Sequence, residues 1–263
     1  MTILLIISGT FLSGVGSVLI ASLITWKIMA RFTDYLLSFA AGTLLATAFL
    51  NLIPEAFEIS SLDSSLMMWL LAGILFFFLL DKSKLYHHSH EHYHRQNQSI
   101  ELKIKKLSPV SNSPKNNVWS IILLGDAIHC FADGILIASA FIADWTLGVL
   151  STLAVLAHEI PHHVGDLVVV SNSLSSKQDA LKKVSLAGFF AVFGGIMGFI
   201  FLESFDDLLP YFLILAASSF VYVSLADLIP QLQKELSLPE TMYQLLWLFS
   251  GVFFIGFASH LGH

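Results

Sequence analysis

The chain has 263 residues, 56% of them hydrophobic and 12% charged, with a formal net charge of -6 and a mean hydropathy of +0.76. Soluble domains carry about 25% charged residues, so this composition makes lipid the main solvent. The 13 basic residues form no face suited to nucleic acid, and a single cysteine, Cys130, excludes an internal disulfide framework.

The first apolar run, residues 3–29, has no positive segment before it and is too long for a signal peptide, so it reads as a retained span. A second run, 33–54, ends in Asn51-Leu-Ile-Pro-Glu55, and a third covers 65–80. A polar stretch follows at about 81–118 and opens with the tract HHSHEHYH, which holds His87, His88, His90, His92 and His94. Nothing in it can bury a core, so it is expected to be mobile. Its neutral imidazoles suit either weak metal capture or a solvated linker. Further apolar runs occupy 119–142, 146–170, 185–203, 209–230 and 242–260. The runs suit helices crossing about 30 Å of hydrocarbon, which predicts an all-α membrane protein with eight transmembrane helices in one domain, 1–263.

An even number of spans puts both termini on one side, and the basic residues test the count. Lys27 and Arg31 follow the first span, and Lys82, Lys84, Arg95, Lys103, Lys105, Lys106 and Lys115 follow the third. Lys177, Lys182 and Lys183 follow the fifth, and Lys234 follows the seventh. The opposite loops hold Glu55, Glu58, Asp63, Asp144, Glu203, Asp206 and Asp207 without a Lys or Arg. The positive-inside rule therefore predicts extracytoplasmic termini and a cytoplasmic His-rich loop. The motif Asn51-Leu-Ile-Pro-Glu55 returns as Asp227-Leu-Ile-Pro-Gln231 in the seventh span, which crosses in the opposite direction. Such an inverted repeat is common in transporters that bind substrate near the midplane.

Spans four and five break the apolar pattern. The fourth carries Asp126, His129, Cys130 and Asp133, and the fifth carries His158, Glu159, His162, His163 and Asp166. One ionisable side chain at the bilayer centre costs about 2.5–3.5 kcal/mol on insertion scales, so this many need a compensating partner. His129 and Asp133 are i,i+4, with Asp126 extending their face; His158, His162 and Asp166 form a stripe beside the Glu159–His163 pair. Packed face to face, the two helices would offer imidazole and carboxylate donors to one ion, zinc above all, or ferrous iron or manganese. The alternative is a buried hydrogen-bond network tying two helices together. Pro161 cannot donate to the carbonyl of Ala157, and Pro54 and Pro230 leave those of Leu50 and Ala226 without helical donors. For Pro54 and Pro230 simple helix termination is expected.

His158-Glu-Ile-Pro-His162 followed by Val-Gly-Asp166, together with His129-x-x-x-Asp133-Gly134, resembles the ZIP family of divalent metal transporters. The Leu-Ile-Pro-Glu55 of the second span is similar to that family's pattern as well. The resemblance implies a 3+2+3 arrangement of eight helices, a homodimer, and movement of Zn²⁺ or related ions (Fe²⁺, Mn²⁺, Cd²⁺) toward the cytoplasm. It implies that His129, Asp133, His158 and His162 hold the transported ion, while Glu159, with Asp133 shared, serves a second position. Cys130 stands where the family has Asn, His163 where it has Glu, and Gln231 where it often has Glu. Cys130 and His163 join the candidate metal set and would make the second position softer.

Asp126 and Asp166 lie on the cytoplasmic side of the site and are expected on an exit path; Asn51, Glu55 and Asp227 are assigned to the same pathway. Acidic outer loops would gather cations at the entrance. No ATP-binding motif is present and no catalytic cofactor is expected. The expected location is the cell (inner) membrane. Two rival readings remain. His158-Glu159-x-x-His162 also fits the zinc-protease signature H-E-x-x-H, although an intramembrane protease would add a ligand from a later span, where only Asp227 is available. A metal-sensing receptor would bind without transport.

Overall fold

Apolar chain in hydrocarbon can satisfy its backbone only within itself, by helices or closed barrels. The computed structural model describes residues 1–23, 26–60, 63–82, 118–174, 176–233 and 236–262, and among the described residues there are helices and no strand. Eight are long and apolar enough to cross a membrane: α1 (Thr2–Leu23), α2 (Asp34–Ile59), α3 (Ser65–Lys82), α4 (Ile122–Ala143), α5 (Trp145–Ser173), α6 (Lys177–Ser204), α7 (Asp206–Leu232) and α8 (Leu238–His260). The His-rich tract with His87, His88, His90, His92 and His94 lies outside the described residues.

The sixth and eighth helices start earlier than the hydrophobic runs that announced them. Charged residues end an apolar run before they end a helix, because long side chains carry their charge to the interface. Lys183, inside α6, sets its ammonium 4.1 Å from the ring centroid of Trp119. Local caps fix other ends. The Asp144 carboxylate accepts from the backbone N–H groups of Thr146 and Leu147 at 2.7 and 3.1 Å, which starts α5 one residue after α4 ends.

In lipid, close packing replaces the hydrophobic effect as the force between helices, and small residues permit it. A Cβ on Gly134 would lie 2.0 Å from the Ala191 carbonyl oxygen, and one on Gly194 2.0 Å from that of Phe131, so α4 and α6 touch backbone to backbone. Gly42 and Gly251 do the same for α2 and α8. α5 packs against α1, α2, α4 and α6.

Pro54 does not end its helix. α2 widens into a π turn at Ala48–Leu52 and continues helically over Ile53–Ile59. The proline ring would strike the Leu50 carbonyl in α register, and one extra residue in the turn absorbs the conflict. α7 repeats this with a π turn at Val223–Leu228 before Ile229–Leu232, where Pro230 does precede the helix end. Pro161, by contrast, sits within a continuous α5.

Two apolar clusters bracket the polar segments. One joins Leu136–Phe141 of α4 and Leu147, Ala154 and Val155 of α5 to α2 and α7. The other is Val18, Val170, Ala180 and Val184. Between them lie the ionisable residues singled out in those two helices, from Asp126 to Asp133 in α4 and from His158 to Asp166 in α5.

Candidate metal centre

Helical periodicity puts His129 and Asp133 one turn apart on α4, and α5 brings His158 and Glu159 against them. His129 Nε2 is 3.4 Å from His158 Nε2, 3.2 Å from Glu159 Oε1 and 3.7 Å from Asp133 Oδ2. His158 Nε2 is 2.9 Å from Glu159 Oε1 and 3.6 Å from Asp133 Oδ2. A tetrahedral zinc ion with ligands at about 2.0–2.1 Å separates them by roughly 3.3–3.4 Å. The observed spacings surround that value. Asp133 Oδ2 is buried without a hydrogen bond, and Glu159 Oε1 is buried between two imidazoles, an arrangement that a cation relieves and that apolar helix packing does not explain.

A second group adjoins the first. His163 Nε2 lies 3.2 Å from Glu159 Oε2 and 3.4 Å from Asp126 Oδ1, and His162 Nδ1 lies 3.7 Å from Asp126 Oδ1. One ligand atom from each of Asp126, Glu159, His162 and His163 falls within 4.8 Å of the others, as it does for His129, Asp133, His158 and Glu159. Cys130 Sγ, also buried, is 3.7 Å from Asp126 Oδ1 and 3.8 Å from both Glu159 Oε2 and His163 Nε2. Asp166 Oδ2 reaches His162 Nδ1 at 3.5 Å.

The sharing therefore runs differently from the expectation. Glu159 turns one oxygen to each group, whereas Asp133 faces only the first. His162, expected beside His129, Asp133 and His158, stands with Asp126 in the second group, although its ring centroid is still 5.6 Å from that of His129. Asp126, expected downstream, is part of that second group. Asn51, Glu55 and Asp227 belong to neither. Asn51 accepts a 2.7 Å hydrogen bond from Ser259 of α8, and Asp227 one of 2.8 Å from the Gln231 amide.

One partner escaped the sequence. Ser17 of α1 places its hydroxyl 2.8 Å from His163 Nδ1 across 146 residues. A serine in a small-residue apolar helix gives no hint of such a contact.

A bundle of membrane-length helices with buried imidazole and carboxylate donors converging on two adjoining points defines a polytopic membrane protein with a candidate metal centre. The family description ZIP Zinc transporter matches residues 1–259, and the chain belongs to that family. Its members are transporters, not enzymes, which removes the intramembrane protease reading. The chain is similar to Zinc transporter ZIP13 homolog of Drosophila melanogaster, 27% identical over 82% of this chain and 74% of that protein. Zinc transporter ZIP13 of Pongo abelii is 30% identical over 82% of this chain and 64% of its own length. Zinc transporter ZIP4 of Homo sapiens is 34% identical over 43% of this chain, but only 18% of that protein is covered.

Proposed function

We propose that the protein carries divalent metal cations, zinc foremost, across a membrane into the cytoplasm through a mid-bilayer site between α4 and α5. The observation that carries this reading is the convergence of His129, Asp133, His158 and Glu159 donor atoms at 2.9–3.7 Å. Borderline-soft imidazole with carboxylate suits zinc best, with ferrous iron, manganese and cadmium as competitors. The second group, Asp126, Glu159, His162 and His163 beside Cys130, is a second stop for the ion, and Asp166 continues the route toward the basic, cytoplasmic side. Asn51, Glu55 and Asp227 serve the same pathway through α2 and α7, and the His-rich loop receives the ion. With both termini outside, a dication moving inward gains about 4.6 kcal/mol per 100 mV, so no nucleotide is needed. The cell (inner) membrane and a homodimer built on the 3+2+3 arrangement complete the reading.

Zinc uptake into proteoliposomes, measured for the wild type and for His158→Ala, tests it. Saturable uptake that His158→Ala abolishes supports transport. Saturable zinc binding with no flux in the same vesicles would instead make the protein a sensor.

A further inference from the structure

Ser17 belongs to no ligand group, yet it governs which nitrogen of His163 carries a proton. Its hydroxyl has one hydrogen to give, and the Gly14 carbonyl oxygen lies 2.5 Å away to receive it, at the short end of the range for O–H···O bonds. The other contact of that oxygen, 2.8 Å to His163 Nδ1, must then be made by an N–H donating to it. With Nδ1 protonated, neutral imidazole carries its lone pair on Nε2. That atom points at Glu159 Oε2 and Asp126 Oδ1, 3.2 and 3.4 Å away, with Cys130 Sγ at 3.8 Å.

In that neutral form four lone-pair-bearing atoms face one another, the thiol sulfur among them, and both Ser17 and His163 are fully buried. Water cannot reorganise to change the tautomer. The serine follows directly on the π turn Leu12–Gly16 of α1, which contains the Gly14 acceptor. α1 lies so close to α6 at this point that a Cβ on Gly14 would be 2.1 Å from the Gly188 carbonyl oxygen, so the serine cannot drift.

We propose that Ser17 is a positioning residue that locks His163 as an Nε2 donor to the second group, converting it into an imidazole, carboxylate and thiol site for a borderline-soft dication. This rests on the transport reading given above. Metal-bound histidines are oriented by the acceptor on their other nitrogen, and losing such a partner costs about 10–100-fold in affinity. Here the orienting group comes from a different helix, so the packing of α1 against α5 sets the affinity of the site.

The full chain in detergent, titrated with Zn²⁺ and with Co²⁺ as a spectroscopic probe, gives the test. Ser17→Ala is expected to weaken the second equivalent about 10–100-fold, to alter its cobalt absorption, and to leave the first equivalent unchanged. Ser17→Thr, which keeps the hydroxyl, should restore affinity and spectrum. On a His163→Gln background Ser17→Ala should add nothing, because the two residues act as one unit. Wild-type affinity and spectrum in Ser17→Ala would overturn the assignment. So would equal weakening of both equivalents, equal loss on the His163→Gln background, or a wild type that binds a single equivalent. A wild type that binds no zinc would remove the transport reading itself, whereas normal uptake with an unaffected Ser17→Ala would remove the role of Ser17 alone.

Discussion

Glu159→Gln should weaken both metal positions at once, and no other single substitution in the site should do so. The carboxylate sends Oε1 to His129 and His158 at 3.2 and 2.9 Å, and Oε2 to His163 at 3.2 Å. Glutamine keeps the size, but its amide presents an oxygen to one group and an NH₂ to the other. One group therefore keeps a neutral oxygen, while the other meets hydrogens that repel a cation. Structural zinc sites are worth about 10–16 kcal/mol, so each of four ligands supplies about 2.5–4 kcal/mol, or about two to three powers of ten in affinity. The loss should be at least about a hundredfold at the group facing NH₂ and smaller at the other. Asp133→Asn is the control, because Asp133 Oδ2 faces only His129 and His158. Isothermal titration of zinc into purified protein reads both equivalents, with far-UV circular dichroism reporting the fold. Two equivalents of unchanged affinity in Glu159→Gln would refute the bridging role, and so would Asp133→Asn weakening both equally.

His162→Ala should cut zinc uptake by about a hundredfold while helical content in detergent stays at the wild-type level; wild-type uptake would remove His162 from the route. Gly194→Ala should lower stability by about 1–3 kcal/mol, read as the melting temperature in detergent, since its Cβ would lie 2.0 Å from the Phe131 carbonyl oxygen on α4. Asp144→Ala should cost about 1 kcal/mol through loss of the bonds to the Thr146 and Leu147 N–H groups, with uptake per folded molecule unchanged. A loss of uptake there, without loss of stability, would give Asp144 a role beyond capping.

Most of the fold was legible because lipid leaves the chain few options. Apolar run length is enough to mark the eight helices. The polar residues of α4 and α5 were equally plain, since each violates the solvent it sits in. Which of them meet was not legible. Spacing placed His158, His162 and Asp166 on one stripe, but α5 winds enough over four residues for His158 to face His129 while His162 faces Asp126. Nor could periodicity reveal that Glu159 points in two directions, because that depends on how α4 crosses α5. Pro54 misled for a related reason. A helix can widen at proline instead of stopping, and the sequence before Pro54, small and apolar, does not distinguish the two outcomes.

The two occurrences of the repeated motif share a backbone and part in their side chains. In each, a π turn ends at the Leu of Leu-Ile-Pro, so Asn51 and Asp227 both sit inside widened backbone. Irregular backbone at membrane depth is tolerated only where protein or a wet cavity shields it from lipid. The structure meets that condition reciprocally, for the π turn of α2 packs on α7 and the π turn of α7 packs on α2. The side chains then diverge. The first occurrence has an amide followed four residues later by an acid, Asn51 and Glu55; the second has an acid followed by an amide, Asp227 and Gln231. In α7 the pair closes on itself, with Gln231 Nε2 donating to Asp227 Oδ1 at 2.8 Å. In α2 the pair does not close this way, because Asn51 Oδ1 accepts from Ser259 while its Nδ2 has no acceptor. Each occurrence keeps one acid and one amide, exchanged in order.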